Sequence, residues 1–249
     1  MKRAALLTLL CLLLSACTFN IKVNGDDGLV SYTGDYGDAV GRPYALDRPY
    51  NQIEVSSAFQ VLMSDTVVEP RIFVAEELHD RVVFRVDGNT LKIRLKPGNY
   101  RNVGTLRVHL PYQGLREVEL SGASRFVSEK PLVVRELALD LSGASRFIAE
   151  VQAREVDIDA SGASKAILSG TADELDIDLA GASHLDATNL DTKRVEGEVS
   201  GASHADVTVC DLVKVDLSGA SHLTYGTPGD GCRPDYRCNT SGASSVKQR

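Results

Sequence analysis

Apolar and polar residues alternate in short runs over most of this chain, with turn-forming residues between the runs. The clearest runs are Val118-Glu119-Leu120, Leu139-Asp140-Leu141, Ile158-Asp159-Ala160, Ile177-Asp178-Leu179 and Val215-Asp216-Leu217. An alternation of period two predicts strands with one buried face, and no helical spacing competes with it. The apolar residues are mostly small or β-branched and Trp is absent, which suits thin β-layers.

Each of these runs leads into a repeated tetrapeptide, Ser-Gly-Ala-Ser or Ala-Gly-Ala-Ser. The glycines of the seven copies are Gly122, Gly143, Gly162, Gly181, Gly201, Gly219 and Gly242. Neighbouring glycines are separated by 21, 19, 19, 20, 18 and 23 residues. A period near 20 residues indicates a solenoid and is too short for a strand plus a packed helix. We therefore predict a three-sided coil of parallel strands, in which equivalent positions stack about 4.8 Å apart.

The tetrapeptides are predicted to form the corners of this coil. Glycine allows a positive φ or a close approach of two backbones at a corner. The second serine of each copy, from Ser124 to Ser244, is predicted to satisfy backbone groups there. Seven equivalent copies and the lack of a Gly-x-Ser-x-Gly motif argue against a catalytic serine.

Charged residues recur at fixed positions on both sides of each corner. Three residues before the glycines stand Glu119, Asp140, Asp159, Asp178, Glu198, Asp216 and finally Asn239. Three residues after the glycines stand Arg125, Arg146, Lys165, His184, His204 and His222. Stacked like charges are normally destabilising. Three interpretations remain open: the columns neutralise each other as surface ion pairs, they bind a repetitive ligand such as a glycan or another envelope polymer, or they form a cation site.

The three histidines of the second series occupy consecutive copies, so their imidazoles are expected about 5 Å apart. Zinc needs three or four converging ligands, whereas a column on a flat sheet sends its side chains out nearly parallel. We therefore predict that His184, His204 and His222 bind zinc weakly or not at all. No cofactor is predicted either.

The N-terminus has the features of a lipoprotein signal. Two basic residues precede an apolar run over residues 4–14, which ends in Leu14-Ser15-Ala16-Cys17. The run is about half as long as a membrane-spanning helix requires. We predict that residues 1–16 are removed and that Cys17 carries the lipid. Thr18, rather than Asp, follows this cysteine and favours the outer membrane. An ordinary secretory signal with an incidental cysteine is the alternative.

The rest of the chain is predicted to consist of a tether and a body. Residues 17–49 are polar and rich in glycine, which is typical of a tether. Residues 50–249 are predicted to form one β-domain. Its part before residue 120 alternates less regularly and contains a hairpin-turn signal, Asp87-Gly88-Asn89. We interpret this part as irregular first rungs or as a cap over the open end of the stack.

The net charge indicates which partners are unfavourable, and the cysteine content indicates whether a disulfide forms. The formal net charge is −7, and loss of two basic residues with the signal makes it −9, which argues against nucleic acid as a partner. With Cys11 removed and Cys17 acylated, three cysteines remain in an oxidising compartment. We predict a disulfide between Cys232 and Cys238 that closes the long last repeat. Cys210 remains an alternative partner, because Cys238 occupies an inward strand position.

Several short motifs occur in a characteristic order along the body. They are Ile53-Glu54-Val55, Phe59-Gln60-Val61, Asp87-Gly88-Asn89-Thr90-Leu91-Lys92-Ile93, Val108-His109-Leu110-Pro111 and Leu115, followed by Ser121-Gly122-Ala123-Ser124. This order resembles the head GIN domain family, whose members are described as autotransporter adhesins. The resemblance implies an all-β fold, a right-handed parallel β-helix and an envelope location, but no established activity. It covers residues 50–249 and is weakest at the cysteine-containing insertion, residues 226–240.

Two classes of function remain after these observations. Even repetition of the charged residues favours a non-catalytic, adhesin-like module that is anchored by acyl chains and binds a glycan, an envelope polymer or a protein. A polysaccharide-cleaving lyase or hydrolase is the alternative and depends on analogy with other β-helices. Such an enzyme needs a few unlike residues that converge at one place. We therefore predict a lipid-anchored protein of the bacterial envelope, in the outer membrane, without catalytic residues.

Overall fold

The computed structural model describes residues 20–21, 30–31, 38–101 and 103–249. The predicted signal peptide and lipidation site lie outside these residues. The chain divides into two units, Met1–Tyr36 and Gly37–Arg249. In the first unit, β1 (Asn20–Ile21) pairs with β2 (Val30–Ser31) in antiparallel orientation.

The second unit consists of strands and one 3₁₀ helix, Glu76–Arg81. Its strands are β3 (Ala39–Pro43), β4 (Gln52–Val55), β5 (Gln60–Ser64), β6 (Arg71–Ala75), β7 (Val82–Asp87), β8 (Thr90–Leu95), β9 (Arg107–Pro111), β10 (Glu117–Leu120), β11 (Arg125–Ser128), β12 (Leu132–Val133), β13 (Glu136–Leu141), β14 (Arg146–Ala160), β15 (Lys165–Leu179), β16 (His184–Val199), β17 (His204–Leu217), β18 (His222–Gly226), β19 (Asp235–Tyr236), β20 (Asn239–Thr240) and β21 (Ser245–Gln248). Over the described chain, no helix is long and apolar enough to cross a membrane.

The regular part of this unit is a parallel β-helix, and the solenoid has about seven turns. The short strands β11, β12 and β13 each pair in parallel with a different part of the long strand β14. A turn therefore has three sides: face 1 precedes the glycine corner, face 2 follows it, and face 3 joins the two. In β14, residues 146–149 belong to face 2, residues 150–153 to face 3 and residues 155–160 to face 1. The all-β coil predicted from the repeats is confirmed.

The glycine corners stack directly on one another through their backbones. Gly162 has φ +74°, and a Cβ added there would lie 2.5 Å from the carbonyl oxygen of Gly143. That oxygen accepts a hydrogen bond from the N–H of Ala163 at 2.7 Å. The Oγ of Ser164 donates to the carbonyl oxygen of Ser161 at 2.7 Å, and Ser124, Ser183 and Ser244 make the same contact. The predicted role of the serines in satisfying corner backbone groups is confirmed for these positions.

Alternate side chains of every face point inward and form a continuous core. Leu139, Ile158 and Ile177 occupy equivalent positions in successive turns and are at most 1% exposed. The ring of Phe126 stacks on that of Phe147, with centroids 5.3 Å apart. Burial of such a side chain contributes about 1.5–3 kcal/mol. One turn cannot bury this surface alone, so the stability of each turn depends on its neighbours.

The N-terminal end of the coil is closed by antiparallel strands. β7 and β8 form the predicted hairpin, with Gly88 at φ +60° in its turn. β6 pairs antiparallel with both β9 and β3. β3 lies within residues 17–49, the segment predicted to form the tether. Gly41 and Pro43 are uncommon in strands, so the sequence did not indicate β3. Gly41 fits because it packs against the Phe73 ring, and Pro43 fits because β3 lies at a sheet edge.

The order of turns in the stack differs from their order in the chain. β4 pairs in parallel with β8 on one side and with β10 on the other. β5 lies in the same way between β9 and β11. The turn that contains β8 and β9 therefore ends the parallel stack, and the earlier pair β4 and β5 is inserted next to it.

A disulfide connects the last turn of the coil to the turn before it. The disulfide joins Cys210 to Cys232, whose Cα atoms are 4.6 Å apart, and Cys238 is a free thiol. The predicted Cys232–Cys238 pair is therefore wrong. Cys238 points inward in the last turn, with Sγ 3.9 Å from the carbonyl oxygen of Val213, whereas Cys210 lies where β17 borders the long loop. The loop is attached to the preceding turn instead of being closed on itself.

Candidate binding faces

Face 1 carries the predicted carboxylate column in an unbroken register. Its members Glu119, Asp140, Asp159, Asp178, Glu198 and Asp216 each lie beside the next on adjacent strands. The structure extends this column by Glu54, which pairs in register with Glu119. Hydrogen-bond donors close both ends: the Nζ of Lys92 is 3.1 Å from Glu54, and the Nδ2 of Asn239 donates to Asp216 at 2.7 Å.

Two further acidic columns lie beside the carboxylate column on face 1. The nearer one includes Glu117, Asp157, Asp176 and Glu196, and the farther one includes Glu136, Glu155 and Glu174. Cations pair with these columns near their ends, where Arg135 contacts Glu136, Lys214 contacts Glu196 and Arg194 contacts Glu174. Face 1 is therefore an acidic sheet surface of several adjacent turns, which the single predicted column did not reveal.

The crowding of like charges changes the acidity of face 1. Burial and then the neighbouring carboxylates Asp140 and Asp178 raise the pKa of Asp159 above its usual range. The pKa of Glu119 is raised in the same way by burial, Glu54 and Asp140. We therefore expect the carboxylates in the middle of face 1 to repel one another at neutral pH.

The corner between face 3 and face 1 shows the opposite arrangement. There Lys193 Nζ lies 2.6 Å from Asp173 Oδ1, and this hydrogen bond lowers the pKa of Asp173. The glycine corner places the carboxylate column and the basic column on different faces of the coil.

We expect the double substitution Asp159→Asn and Asp178→Asn to raise the free energy of unfolding at pH 7, by about 0.5 kcal/mol per site or less after solvent screening. A carboxyl whose folded pKa is raised contributes stability below its unfolded pKa, near 4, and loses that contribution as pH rises through the folded value. The gain should therefore shrink towards pH 4 and at high salt. Urea unfolding at pH 4 and pH 7 measures it.

The matched control is Asp173→Asn, which removes one carboxylate from an ion pair. Because the pKa of Asp173 is lowered, this variant should be less stable than wild type at pH 7 and should approach it on acidification. A loss of stability in both variants would contradict the assignment of repulsion to face 1.

Face 2 carries the predicted basic column, also in register. Its members are Arg125, Arg146, Lys165, His184, His204 and His222. The rings of His184 and His204 are parallel, with centroids 5.4 Å apart, and His204 meets His222 edge-on at 5.8 Å. Within the described part of the chain, no group of three His, Cys, Asp or Glu is placed to hold a metal ion. Weak or absent zinc binding remains a prediction, which calorimetry with His204→Ala would test.

A second outward column on face 2 escaped the sequence analysis. It begins with Leu62, Val127, Ile148 and Ile167, which are at most 9% exposed although they lie outside the main core. It continues with Asp186, Asp206 and Thr224. The change from aliphatic to acidic residues occurs at the turn where the basic column changes from Lys165 to His184. This column lies two residues after the basic column in each repeat, so an alignment of the repeats would have identified it.

Comparison with known proteins supports the fold and the family. The profile of the family described as "Putative auto-transporter adhesin, head GIN domain" matches residues 49–228. A search of curated proteins finds no match.

Solved structures of proteins from Bacteroides and Parabacteroides species have the same fold. A Bacteroides fragilis protein named as a putative adhesin is 16% identical and covers 86% of this chain and 98% of its own, with a TM-score of 0.77. A Parabacteroides distasonis protein named as a putative lipid binding protein is 17% identical, covers 86% and 97%, and has a TM-score of 0.60. At these identities the likeness establishes the fold alone. The family match spans most of the chain, and the chain therefore belongs to the head GIN domain family of adhesin-type proteins.

Proposed function

We propose that this protein is a non-catalytic binding module of the adhesin type, displayed from the bacterial envelope, and that its ligand is repetitive. The observation that carries the proposal is the register of the charged columns across adjacent turns. Equivalent side chains repeat at the spacing of parallel strands, about 4.8 Å. A polymer that contacts several turns gains affinity over its single unit through effective concentration, by about 100-fold or more.

The uncompensated charges of face 1 support a binding role. Asp173 and Lys193 show that this fold can pair opposite charges between turns where stability alone matters. The carboxylate column instead keeps like charges together at a cost in stability. Binding of a ligand that supplies positive charge would offset this cost. The relatives described as adhesins favour the same class of function.

A binding screen tests the proposal. The chain from residue 18 onward is presented to an array of glycans and envelope polymers, and retained polymers are ranked at low and high salt. We expect salt-dependent retention of a polymer and much weaker retention of its monomer. The double substitution Asp159→Asn and Asp178→Asn should change retention on face 1, whereas either single substitution should change it little. Cleavage of a polysaccharide that one Asp→Asn substitution abolishes would overturn the proposal in favour of an enzyme.

We further propose that the body is anchored through a lipid on Cys17, in the outer membrane. The tetrad that ends in Cys17 and the Thr after it support this anchor. Mass spectrometry of the N-terminal peptide from native membranes should find a peptide that begins at Cys17 and carries acyl chains. A free N-terminus at another residue would exclude the anchor.

A further inference from the structure

The C-terminal half of face 2 is a surface whose charge depends on histidine protonation. Three consecutive turns contribute His184, His204 and His222 to the basic column and Asp186, Asp206 and Thr224 to the column beside it. With neutral imidazoles these six residues carry two negative charges. With three imidazolium groups they carry 3 − 2 = 1 positive charge. The same surface therefore changes the sign of its charge on acidification.

The charged groups around each imidazole are defined by the adjacent strands. His184 lies between Lys165 on β15 and His204 on β17, with Asp186 and Asp206 nearby. Burial, Lys165 and His204 lower the pKa of His184, whereas the two carboxylates act in the opposite direction.

The other two imidazoles have fewer cations beside them. The Nε2 of His204 is 3.5 Å from Asp206 Oδ2, and this ring also lies beside those of His184 and His222. His222 Nδ1 is hydrogen-bonded to the Oγ of Ser245 on β21 at 2.8 Å, and Lys247 follows next to Thr224. When protonated, the three histidines form a cationic column over three successive turns.

We propose that this column of protonated histidines binds a linear carboxylated polysaccharide along the C-terminal half of face 2 at acidic pH and releases it at neutral pH. The proposal rests on the proposed function, since it names the ligand of one charged column. Charge complementarity supports an anionic polymer, and a sugar that carries one carboxylate per unit repeats at a spacing of the same order as the turns. At neutral pH the imidazoles are uncharged, and Asp186 and Asp206 repel such a chain from this surface.

The chemistry of face 2 favours a polysaccharide over single-stranded nucleic acid. Proteins that bind nucleic acid strands combine cations with aromatic side chains on which the bases stack. The described outward positions of face 2 from Arg125 to Thr224 contain no Phe, Tyr or Trp. The aromatic residues Phe126 and Phe147 of the same strands lie in the core.

The test measures binding of polygalacturonate to the chain from residue 18 onward at pH 5.0 and pH 7.5, with poly(dT) and uncharged dextran as comparison polymers. We expect polygalacturonate to bind about tenfold or more tightly at pH 5.0. The triple substitution His184→Gln, His204→Gln and His222→Gln should remove this difference. The double substitution Asp186→Asn and Asp206→Asn should strengthen binding at pH 7.5. Circular dichroism at both pH values confirms that each variant is folded.

A matched control removes two carboxylates from other surfaces, Glu77→Gln in the 3₁₀ helix and Asp230→Asn in the C-terminal loop, and should keep the pH dependence of wild type. The proposal is overturned if polygalacturonate does not bind, if binding is equal at both pH values, if the triple variant retains the pH dependence, or if poly(dT) binds more tightly. Retention of another polymer without polygalacturonate would leave the proposed function intact, whereas retention of no polymer would remove both.

Discussion

Replacement of Gly162 by alanine is expected to lower the free energy of unfolding by about 2–5 kcal/mol. Two costs combine at this position. Alanine at a φ of +74° costs about 1–2 kcal/mol because its Cβ crowds the backbone. In addition, the new Cβ would lie 2.5 Å from the carbonyl oxygen of Gly143. That oxygen is fixed by its hydrogen bond to Ala163, so overpacking adds about 1–3 kcal/mol.

Gly122→Ala is the matched control for this substitution. Gly122 has nearly the same φ, +72°, but its nearest atom to an added Cβ is the backbone nitrogen of Ser57 at 3.9 Å. The corner next to Gly122 in the stack is Ser57-Ala58, where both residues have φ +65°. This corner does not approach Gly122 as closely as one glycine corner approaches another, so a Cβ has room there. The control should therefore lose only the conformational cost, about 1–2 kcal/mol.

Urea unfolding followed by far-ultraviolet circular dichroism would measure both variants. Midpoints are compared rather than extrapolated free energies, because repeat proteins depart from two-state unfolding. Equal losses in the two variants would show that stacking between corners contributes little and that only the backbone conformation requires glycine.

Removal of the disulfide by the double substitution Cys210→Ser and Cys232→Ser should destabilise the protein by about 3 kcal/mol. The bond joins residues 22 positions apart, and the chain-entropy model gives about this value for a loop of that length. Substitution of both cysteines avoids a new pairing of Cys238 with a remaining partner. Cys238→Ser should cost less, since no covalent bond is lost and the thiol is only half-buried.

Peptide mapping without reduction identifies the bond directly. A fragment that links Cys210 with Cys232 is expected, together with a Cys238 peptide that reacts with alkylating reagents after unfolding. Loss of stability only in the Cys238 variant, or a linked fragment that contains Cys238, would reverse the assignment.

The regular turns could be predicted from the sequence because their information is local. Apolar residues alternate immediately before each Ser-Gly-Ala-Ser, so the strands, the corners and the columns of Asp159 and His204 follow from counting residues. The structure confirms this coil and its registers. The two further acidic columns on face 1 and the aliphatic column that contains Ile148 also recur in the repeats. An alignment of the repeats at these positions would have predicted them.

The irregular parts of the fold could not be predicted, because they depend on contacts between residues that are far apart in the sequence. The position of β4 between β8 and β10 involves pairing across 38 and 65 residues. Glu54 consequently joins the carboxylate column, although its corner, Ser57-Ala58, has no glycine to mark it. The partner of Cys232 depended likewise on where the loop meets β17. The sequence did not predict that the two charged columns lie on different faces, because this depends on the angle between the strands at the corner.

The insertion of β4 and β5 between later turns determines the order in which the body can fold. These strands emerge from the ribosome early, but both of their neighbours in the stack lie closer to the C-terminus. Regular turns need contacts across only 19 or 20 residues, and short loops close with less loss of entropy. The repeats after residue 120 can therefore assemble without the N-terminal end, whereas β4 must wait for both β8 and β10. Until then the apolar residues of β4 and β5 remain uncovered, so a partly folded chain is prone to aggregate through these strands.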